Sequence, residues 1–182
     1  MSEADRLHWD ARHAEHGSPD ADGTSAASVF APFERLFPTR GSALEIACGR
    51  GQGSVWLASR GMTVCGVDVS PVAIASARER AARAGFPDRC RFEVWDLDRG
   101  LPESPPVDLL LCHLFRDARL DRAIVERLAP GGLAALAVLS EVGAAPGRFR
   151  ARPGELRRAF APLEILEEGE RDGVAWLIGR RR

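Results

Sequence analysis

The chain contains no lysine and no tyrosine, and all 25 of its basic residues are arginine. We interpret this bias as a property of the coding sequence rather than of the function. The net charge of -1 gives no general attraction for nucleic acid or for an anionic membrane surface. No apolar run approaches the roughly 20 residues that a transmembrane helix needs. The first residues, MSEADRLHWDARHAEHG, are polar and acidic rather than signal-like, so we expect a cytoplasmic protein with neither nucleic acid nor membrane as partner.

Patterns that bind metals or form disulfides are also lacking. Cys48, Cys65, Cys90 and Cys112 are 17, 25 and 22 positions apart, so no CxxC pair is present. Most of them lie in apolar runs, where a free cysteine behaves as a small hydrophobic residue. The histidines at positions 8, 13 and 16 have no carboxylate or cysteine pattern beside them, which favours solvated surface residues over ligands. We therefore expect no metal.

The composition is that of an ordinary globular protein. A length of 182 residues, 45% of them hydrophobic and 28% charged, suits one domain with a full core, spanning residues 1–182. Residues 1–28 are expected to form an N-terminal cap segment and a connection. The end of that segment, GSPDADGTSAAS, is rich in glycine, serine, proline and aspartate and reads as mobile.

Residues 42–70, SALEIACGRGQGSVWLASRGMTVCGVDVS, predict a strand, a glycine-rich turn, a helix and a second strand that ends at Asp68. Ser70 and Pro71 begin a further helix that ends near Gly85. Further strands are expected at 91–96, 107–114 and 133–139, helices at 28–37, at 117–128 and near 153, and a last pair of strands at 163–167 and 174–179 joined by a polar turn. This alternation predicts an α/β fold: a doubly wound, seven-stranded, mostly parallel sheet with an antiparallel C-terminal hairpin strand and helices on both faces.

Residues near the glycine-rich turn reduce the number of ligands that it can be expected to bind. A carboxylate about 20 residues past such a turn can take both hydroxyls of a ribose, so Asp68 suits a nicotinamide nucleotide and S-adenosylmethionine equally. The glycines read G-x-G-x-G over positions 49, 51 and 53, and Ser54 stands where the dinucleotide pattern has its third glycine. Glu45, four residues before Gly49, disfavours a pyrophosphate and suits an ammonium group. Asp96 can accept a hydrogen bond from an adenine amino group, with the Leu97 amide available to the ring.

Four segments in this order resemble the class I S-adenosylmethionine-dependent methyltransferases: LEIACGRGQG, VCGVDVSP, FEVWDLD and LAPGGLAALAVLSE. The resemblance spans residues 42–140 and is closest to the compact small-molecule members. It implies S-adenosylmethionine as the cofactor, with S-adenosylhomocysteine as its product. It also implies roles for individual residues. Gly49 and Gly51 would lie against the methionine part, Asp68 would bind the ribose and Val69 would pack on the adenine. Asp96 and Leu97 would contact the adenine edge, Glu45 would orient the amino group, and Ala47 would be a further cofactor contact.

The opening WDARH, from Trp9 to His13, resembles the W-D-x-R-Y opening of small-molecule members. Such a segment closes over the cofactor, so Trp9 is a candidate contact, although His13 replaces the tyrosine of that pattern. Each assignment has a structural alternative. Trp9 can simply pack its helix on the sheet, Glu45 can cap a neighbouring helix, and Asp96 can serve only to cap the loop that follows.

The acceptor of the methyl group is the least defined part of the reaction. The resemblance places the backbone of Cys112 and His113 beside the sulfonium, and His113 is the candidate base, although it can equally act through its backbone. The N/D-P-P-Y motif is absent after this strand, which argues against a DNA amino-methyltransferase. An arginine cluster at 148, 150, 152, 157 and 158 suits an anionic substrate or, more simply, a solvated helix face.

We therefore predict a methyltransferase acting on a small molecule. The main alternative is a non-catalytic S-adenosylmethionine-binding sensor or partner subunit, because binding and turnover share these residues. A nicotinamide-dependent reductase is a weaker alternative. The oligomeric state stays open, a homo-oligomer included.

Overall fold

The computed structural model describes Asp10, Ala11, residues 27–147 and residues 150–182. The predictions for Trp9, for the histidines at 8, 13 and 16, and for Arg148 lie outside these residues. Within them, seven strands form one sheet in the order β3-β2-β1-β4-β5-β7-β6. The strands are β1 Ser42–Ile46, β2 Thr63–Asp68, β3 Cys90–Val94, β4 Val107–His113, β5 Leu128–Leu139, β6 Glu164–Arg171 and β7 Val174–Arg180. The helices are α1 Gln52–Ser59, α2 Pro71–Arg83, α3 Asp121–Arg127 and α4 Glu155–Ala159. The predicted fold class is confirmed.

The first of two compact units ends at Pro102 and contains β1, β2 and β3, which pair in parallel. Helix α2 begins as its sequence predicts, since the Ser70 side chain accepts a hydrogen bond from Ala73 N and Pro71 occupies the first turn. It stops before Gly85, which has a φ of 83°. Its apolar side packs with α1 and β3 in one cluster, whose buried members are Cys48, Val55, Ile74, Ala77, Ala81 and Phe92.

The second unit runs from Glu103 to Arg182. Strand β4 pairs in parallel with β5, and β7 pairs antiparallel with both β5 and β6. The predicted C-terminal hairpin is therefore present, but its turn is shorter than the six-residue turn that we expected. Asp172 and Gly173 alone connect the strands, with φ of 52° and 77°. An Asp-Gly pair with two positive φ values is typical of the tight type I′ turn, so β6 extends to Arg171.

Two predicted helices differ from the structure in type. Residues 28–37 hold a 3-10 helix, Ala31–Leu36, instead of an α-helix capped by Ser28. Pro32 lies in the first turn of this segment and Pro38 follows its end, which leaves too little chain between them for regular α-helical hydrogen bonding. In residues 117–128, the Asp117 side chain accepts from Arg119 N and caps a 3-10 turn, Ala118–Leu120, before α3 begins. Among the described helices, none combines the length and the hydropathy that a membrane span requires.

Candidate functional site

The turn after β1 has left-handed backbone at every second residue. The φ angles are 51° at Ala47, 52° at Gly49 and 75° at Gly51. Of the G-x-G-x-G pattern, only Gly49 and Gly51 therefore belong to the turn, because Gly53 lies inside α1. A left-handed conformation costs a non-glycine residue roughly 1–2 kcal/mol, so the strain at Ala47 is held by the surrounding structure. The spacing A-x-G-x-G in the sequence, at positions 47, 49 and 51, matches this alternation of left-handed residues.

Asp68, at the end of β2, holds this turn. One carboxylate oxygen accepts a hydrogen bond from Gly49 N at 2.8 Å, and the other accepts from Ser70 N at 2.9 Å. The residue is 8% exposed. Its charge therefore ties the glycine turn to the first turn of α2, with the buried Val69 between them in the chain. Of the predicted site residues, the structure brings Gly49 into contact with Asp68.

The end of β3 lies next to the end of β2. Trp95 N donates to the backbone carbonyl of Asp68 at 2.8 Å, which places Asp96 and the buried Leu97 just beyond the same edge. The Asp96 carboxylate accepts from Asp98 N at 3.0 Å and caps the 3-10 turn Leu97–Arg99. The structural alternative for Asp96 is therefore present. Its contact with an adenine stays a prediction.

Glu45 is buried within β1, at 4% exposure, and accepts a hydrogen bond of 2.5 Å from the Ser54 hydroxyl of α1. Burial raises the pKa of Glu45 to about 7, hydrogen bonds from Ser54 oppose that rise, and the charge of Asp68 adds to it. Gly66 pairs with Glu45 across β1 and β2, and a Cβ there would lie 2.9 Å from Ser54 Oγ. In the sequence, Ser54 stood out only because it replaces the third glycine of the dinucleotide pattern. Its role as the donor to Glu45 is visible only in three dimensions.

We expect Gly51→Ala to destabilise the first unit strongly. A Cβ at Gly51 would lie 2.8 Å from Ala77 Cβ and 3.0 Å from Phe92 Cζ, in addition to the left-handed φ. Backbone strain and overpacking together should lower the free energy of unfolding by about 2–5 kcal/mol in urea titration. Gly85→Ala is the matched control, because Gly85 has a φ of 83° with nothing within 4 Å of its added Cβ. Equal losses in the two variants would show that packing around the turn is not tight.

His113 is the last residue of β4, in the second unit, and is half-buried. Burial lowers its pKa, which favours the neutral form of the imidazole. Leu114 follows with a φ of 62°, a 46% exposed side chain and an N–H that donates to the Ala137 carbonyl at 2.7 Å. A strained, solvent-facing residue at a strand end is typical of functional sites. The role of His113 as a base stays a prediction.

The described members of the arginine cluster contact protein groups. Arg150 donates to the carbonyls of Ser140, at 2.7 Å, and Gly173, at 3.2 Å. Arg157 pairs with Glu168, and Arg158 donates to the Pro153 carbonyl at 3.1 Å. These contacts favour the structural interpretation over an anion site.

All four cysteines are free thiols, and burial raises the pKa of Cys48 well above its usual range. A neutral buried thiol is a poor nucleophile, which supports its interpretation as a small hydrophobic residue. Over the described ranges, no group of three or more histidine, cysteine, aspartate or glutamate side chains is placed to hold a metal ion.

The chain is similar in sequence and in fold to known methyltransferases. Residues 43–132 match the family described as a methyltransferase domain. The fold is similar to TehB from Haemophilus influenzae, with a TM-score of 0.76 and 16% identity over 96% of this chain and 67% of that one. It is also similar to magnesium protoporphyrin IX methyltransferase from Synechocystis with bound S-adenosylmethionine, with a TM-score of 0.73 and 18% identity over 98% and 96% of the two chains.

An uncharacterized protein of Synechococcus sp. is 32% identical over 75% of this chain and 33% of its own length. The chain spans 33% and 55% of the lengths of two curated relatives that it matches.

Proposed function

This chain carries a methyltransferase domain with the fold of the class I, Rossmann-like S-adenosylmethionine-dependent enzymes, and on that premise we propose that it transfers a methyl group from S-adenosylmethionine to a small-molecule acceptor. The alternative is a protein that binds the same cofactor without turnover. Only an assay of methyl transfer distinguishes the two functions.

The observation that carries the proposal is the position of the Asp68 carboxylate. It is fixed from both sides by backbone N–H groups of the glycine turn and of α2. A carboxylate has about four acceptor positions, so it can hold the turn and still accept hydrogen bonds from the two hydroxyls of a ribose. Two further groups suit the same ligand. The Asp96 carboxylate can accept a hydrogen bond from an adenine amino group, and the Leu97 N–H can donate one to the ring.

The charge around the turn favours this cofactor over a dinucleotide. Glu45 and Asp68 are both buried and close enough for the charge of one to raise the pKa of the other. A pyrophosphate would add negative charge beside these two carboxyl groups, whereas an ammonium group would compensate them. The glycine turn is therefore better suited to the aminoacyl end of S-adenosylmethionine than to phosphates.

S-adenosylmethionine supplies an electrophilic methyl group on a sulfonium when it is bound. In this proposal the residues of the chain contribute by orienting the cofactor and the acceptor and by excluding water. Gly49 and Gly51 let the backbone approach the ligand, and Asp68 fixes the ribose. His113, whose pKa is lowered by burial, would accept a proton from an acceptor hydroxyl or ammonium group, whereas a thiolate needs no base.

A small acceptor is supported by the short connections of the described chain. Residues 95–106 hold a single 3-10 turn, and the described residues between β5 and β6, 140–147 and 150–163, hold only α4 with its flanking loops. Proteins of this fold act on very different acceptors: one neighbour is a glycopeptide N-methyltransferase and another is named for magnesium protoporphyrin IX. The chemical class of the acceptor therefore has to come from assay.

The proposal is tested by transfer of labelled methyl from S-adenosylmethionine to a panel of thiols, metalloid oxyanions and phenols. We expect turnover of at least one class. If that acceptor is a hydroxyl, His113→Gln should lower kcat by about 10²–10⁴-fold, whereas it should leave a thiol acceptor unaffected. Tight cofactor binding with no transfer to any member of the panel would favour the non-catalytic alternative.

A further inference from the structure

The turn after β4 has a strained backbone that apolar burial does not explain. Leu114, directly after His113, has a φ of 62°, a left-handed conformation that is unfavourable for a residue with a Cβ. Its side chain is 46% exposed, so burial of that side chain does not offset the strain. The Leu114 N–H donates to the Ala137 carbonyl at 2.7 Å, which fixes the turn at its β4 end. Strain of this kind persists only where the surroundings hold it, so the other end of the turn needs an anchor as well.

Arg116 supplies that anchor. Its guanidinium makes a two-point contact with Asp121, from Nη1 to Oδ1 at 2.6 Å and from Nη2 to Oδ2 at 2.9 Å. Nε donates to Glu155 Oε1 at 2.8 Å, and Nη2 lies 2.8 Å from the same oxygen. The Arg116 side chain is only 9% exposed, so these contacts are largely shielded from water. Charge-assisted, two-point contacts of this kind are stronger and more directional than neutral hydrogen bonds.

The two carboxylates that contact Arg116 belong to different helices. Asp121 is the first residue of α3, and Glu155 is the first residue of α4. The second oxygen of Glu155 accepts from Arg152 N at 3.0 Å, so this carboxylate is itself held on both sides. One guanidinium thus joins the turn after β4 to the starts of two helices, all within the second unit. A lysine could not reproduce this arrangement, because its ammonium group lacks the planar fork.

We infer that Arg116 is a positioning residue for the proposed methyl transfer, because it fixes the turn that follows His113 and with it the position of the imidazole. The inference rests on the proposed function, in which His113 is the base. Arg116 is three residues from His113 and acts through the backbone of the turn, not by contact with the acceptor. A base works only within hydrogen-bond reach of the proton that it removes, so a displacement of about 1 Å is enough to slow transfer by up to about 100-fold.

Titration of the His113 ring by nuclear magnetic resonance tests the positioning directly and needs no cofactor. The His113 signal is identified by its absence from the spectrum of His113→Gln. In the original protein the ring should titrate below pH 6.5, because burial lowers its pKa. In Arg116→Ala the released turn should let water reach the ring, and the midpoint should rise toward the value of about 6.5 of an exposed histidine.

Two further variants separate position from charge. Arg122→Ala removes an arginine of α3 whose side chain is 88% exposed, and its His113 midpoint should equal that of the original protein. Arg116→Lys keeps the charge and loses the two-point contacts, so its midpoint should rise as in Arg116→Ala, although by less. A Lys variant with the original midpoint would show that Arg116 acts by its charge alone and would overturn the positioning role. The same variant decides the question if Arg116→Ala does not fold.

Kinetics supplies a second readout that a general loss of structure would not reproduce. With a hydroxyl or ammonium acceptor, Arg116→Ala should lower kcat by about 10–100-fold and leave KM for S-adenosylmethionine unchanged. The double variant with His113→Gln should be no slower than His113→Gln alone, because both changes remove the same contribution. With a thiolate acceptor, neither single variant should change kcat. A loss in Arg116→Ala that adds to the loss in His113→Gln would overturn the inference.

The outcomes distinguish the inference from the proposed function. If the original protein transfers no methyl group to any acceptor of the panel, the proposed function fails, while the ring titration still reports whether Arg116 positions His113. If it transfers methyl groups and the His113 midpoint is the same in the original protein and both Arg116 variants, the proposed function stands and the role of Arg116 is overturned. A raised midpoint in both Arg116 variants, together with non-additive kinetics, supports the inference.

Discussion

Replacement of Asp68 by alanine is expected to weaken binding of S-adenosylmethionine at least tenfold and to lower the free energy of unfolding by about 2–4 kcal/mol. The first effect follows from the loss of a charged acceptor for the ribose, since a factor of ten corresponds to about 1.4 kcal/mol. The second follows from the two N–H groups of Gly49 and Ser70, which would lose their acceptor in a largely buried place. Calorimetry and urea titration measure the two effects separately.

Two further variants separate binding from folding. Asp68→Asn keeps one acceptor oxygen and the shape of the side chain, so it should recover part of the stability while binding stays weak. Asp88→Ala, at an exposed position of the same unit, should change neither quantity. An Asp68→Ala protein that is destabilised but binds the cofactor with unchanged affinity would show that Asp68 only organises the turn.

The second large effect concerns Glu45 and pH. Burial raises the pKa of this carboxyl from 4.5 to about 7 in the folded protein. Between these two values the folded state binds more protons than the unfolded state, so the free energy of unfolding falls as pH rises. The contribution is fully present below about pH 4.5 and is lost once pH has risen through 7. The shift corresponds to about 3 kcal/mol.

Glu45→Gln removes this titration while keeping an oxygen that accepts from the Ser54 hydroxyl. Urea titration of both proteins at several values between pH 5 and pH 8.5 tests the expectation, because contributions from other ionisable groups cancel in the difference. From pH 5 to pH 8.5, the free energy of unfolding of the variant should rise relative to that of the original protein by about 3 kcal/mol. Parallel curves would mean that Glu45 is ionised in the folded state throughout, with its charge compensated within the protein.

Much of the fold was predictable because its signals are local. The Ser70-Pro71 start and the Gly85 end of α2 were both correct, since capping chemistry is encoded within a few residues. The errors arose where local signals compete. Pro32 and Pro38 reduced a predicted helix to a 3-10 turn, and the Asp172-Gly173 pair made a shorter hairpin than the surrounding polar residues suggested.

The site was predictable to a lesser degree. Asp68 and Gly49 are in contact because the ends of neighbouring parallel strands share an edge, and their binding of one ligand stays a prediction. The partners of the buried groups were missed. Ser54 donates to Glu45 and Ser70 to Asp10, and neither spacing follows a helical or strand period from which contact can be read.

The claim at the centre of this account is that the turn from Ala47 to Gly51, with Asp68, binds S-adenosylmethionine. The most direct test is calorimetric titration of the unmodified protein with S-adenosylmethionine, S-adenosylhomocysteine and NADH in turn. We predict saturable binding of the first two at one site per chain and no binding of NADH. Binding of NADH without binding of S-adenosylmethionine would contradict the account and identify the turn as a dinucleotide site.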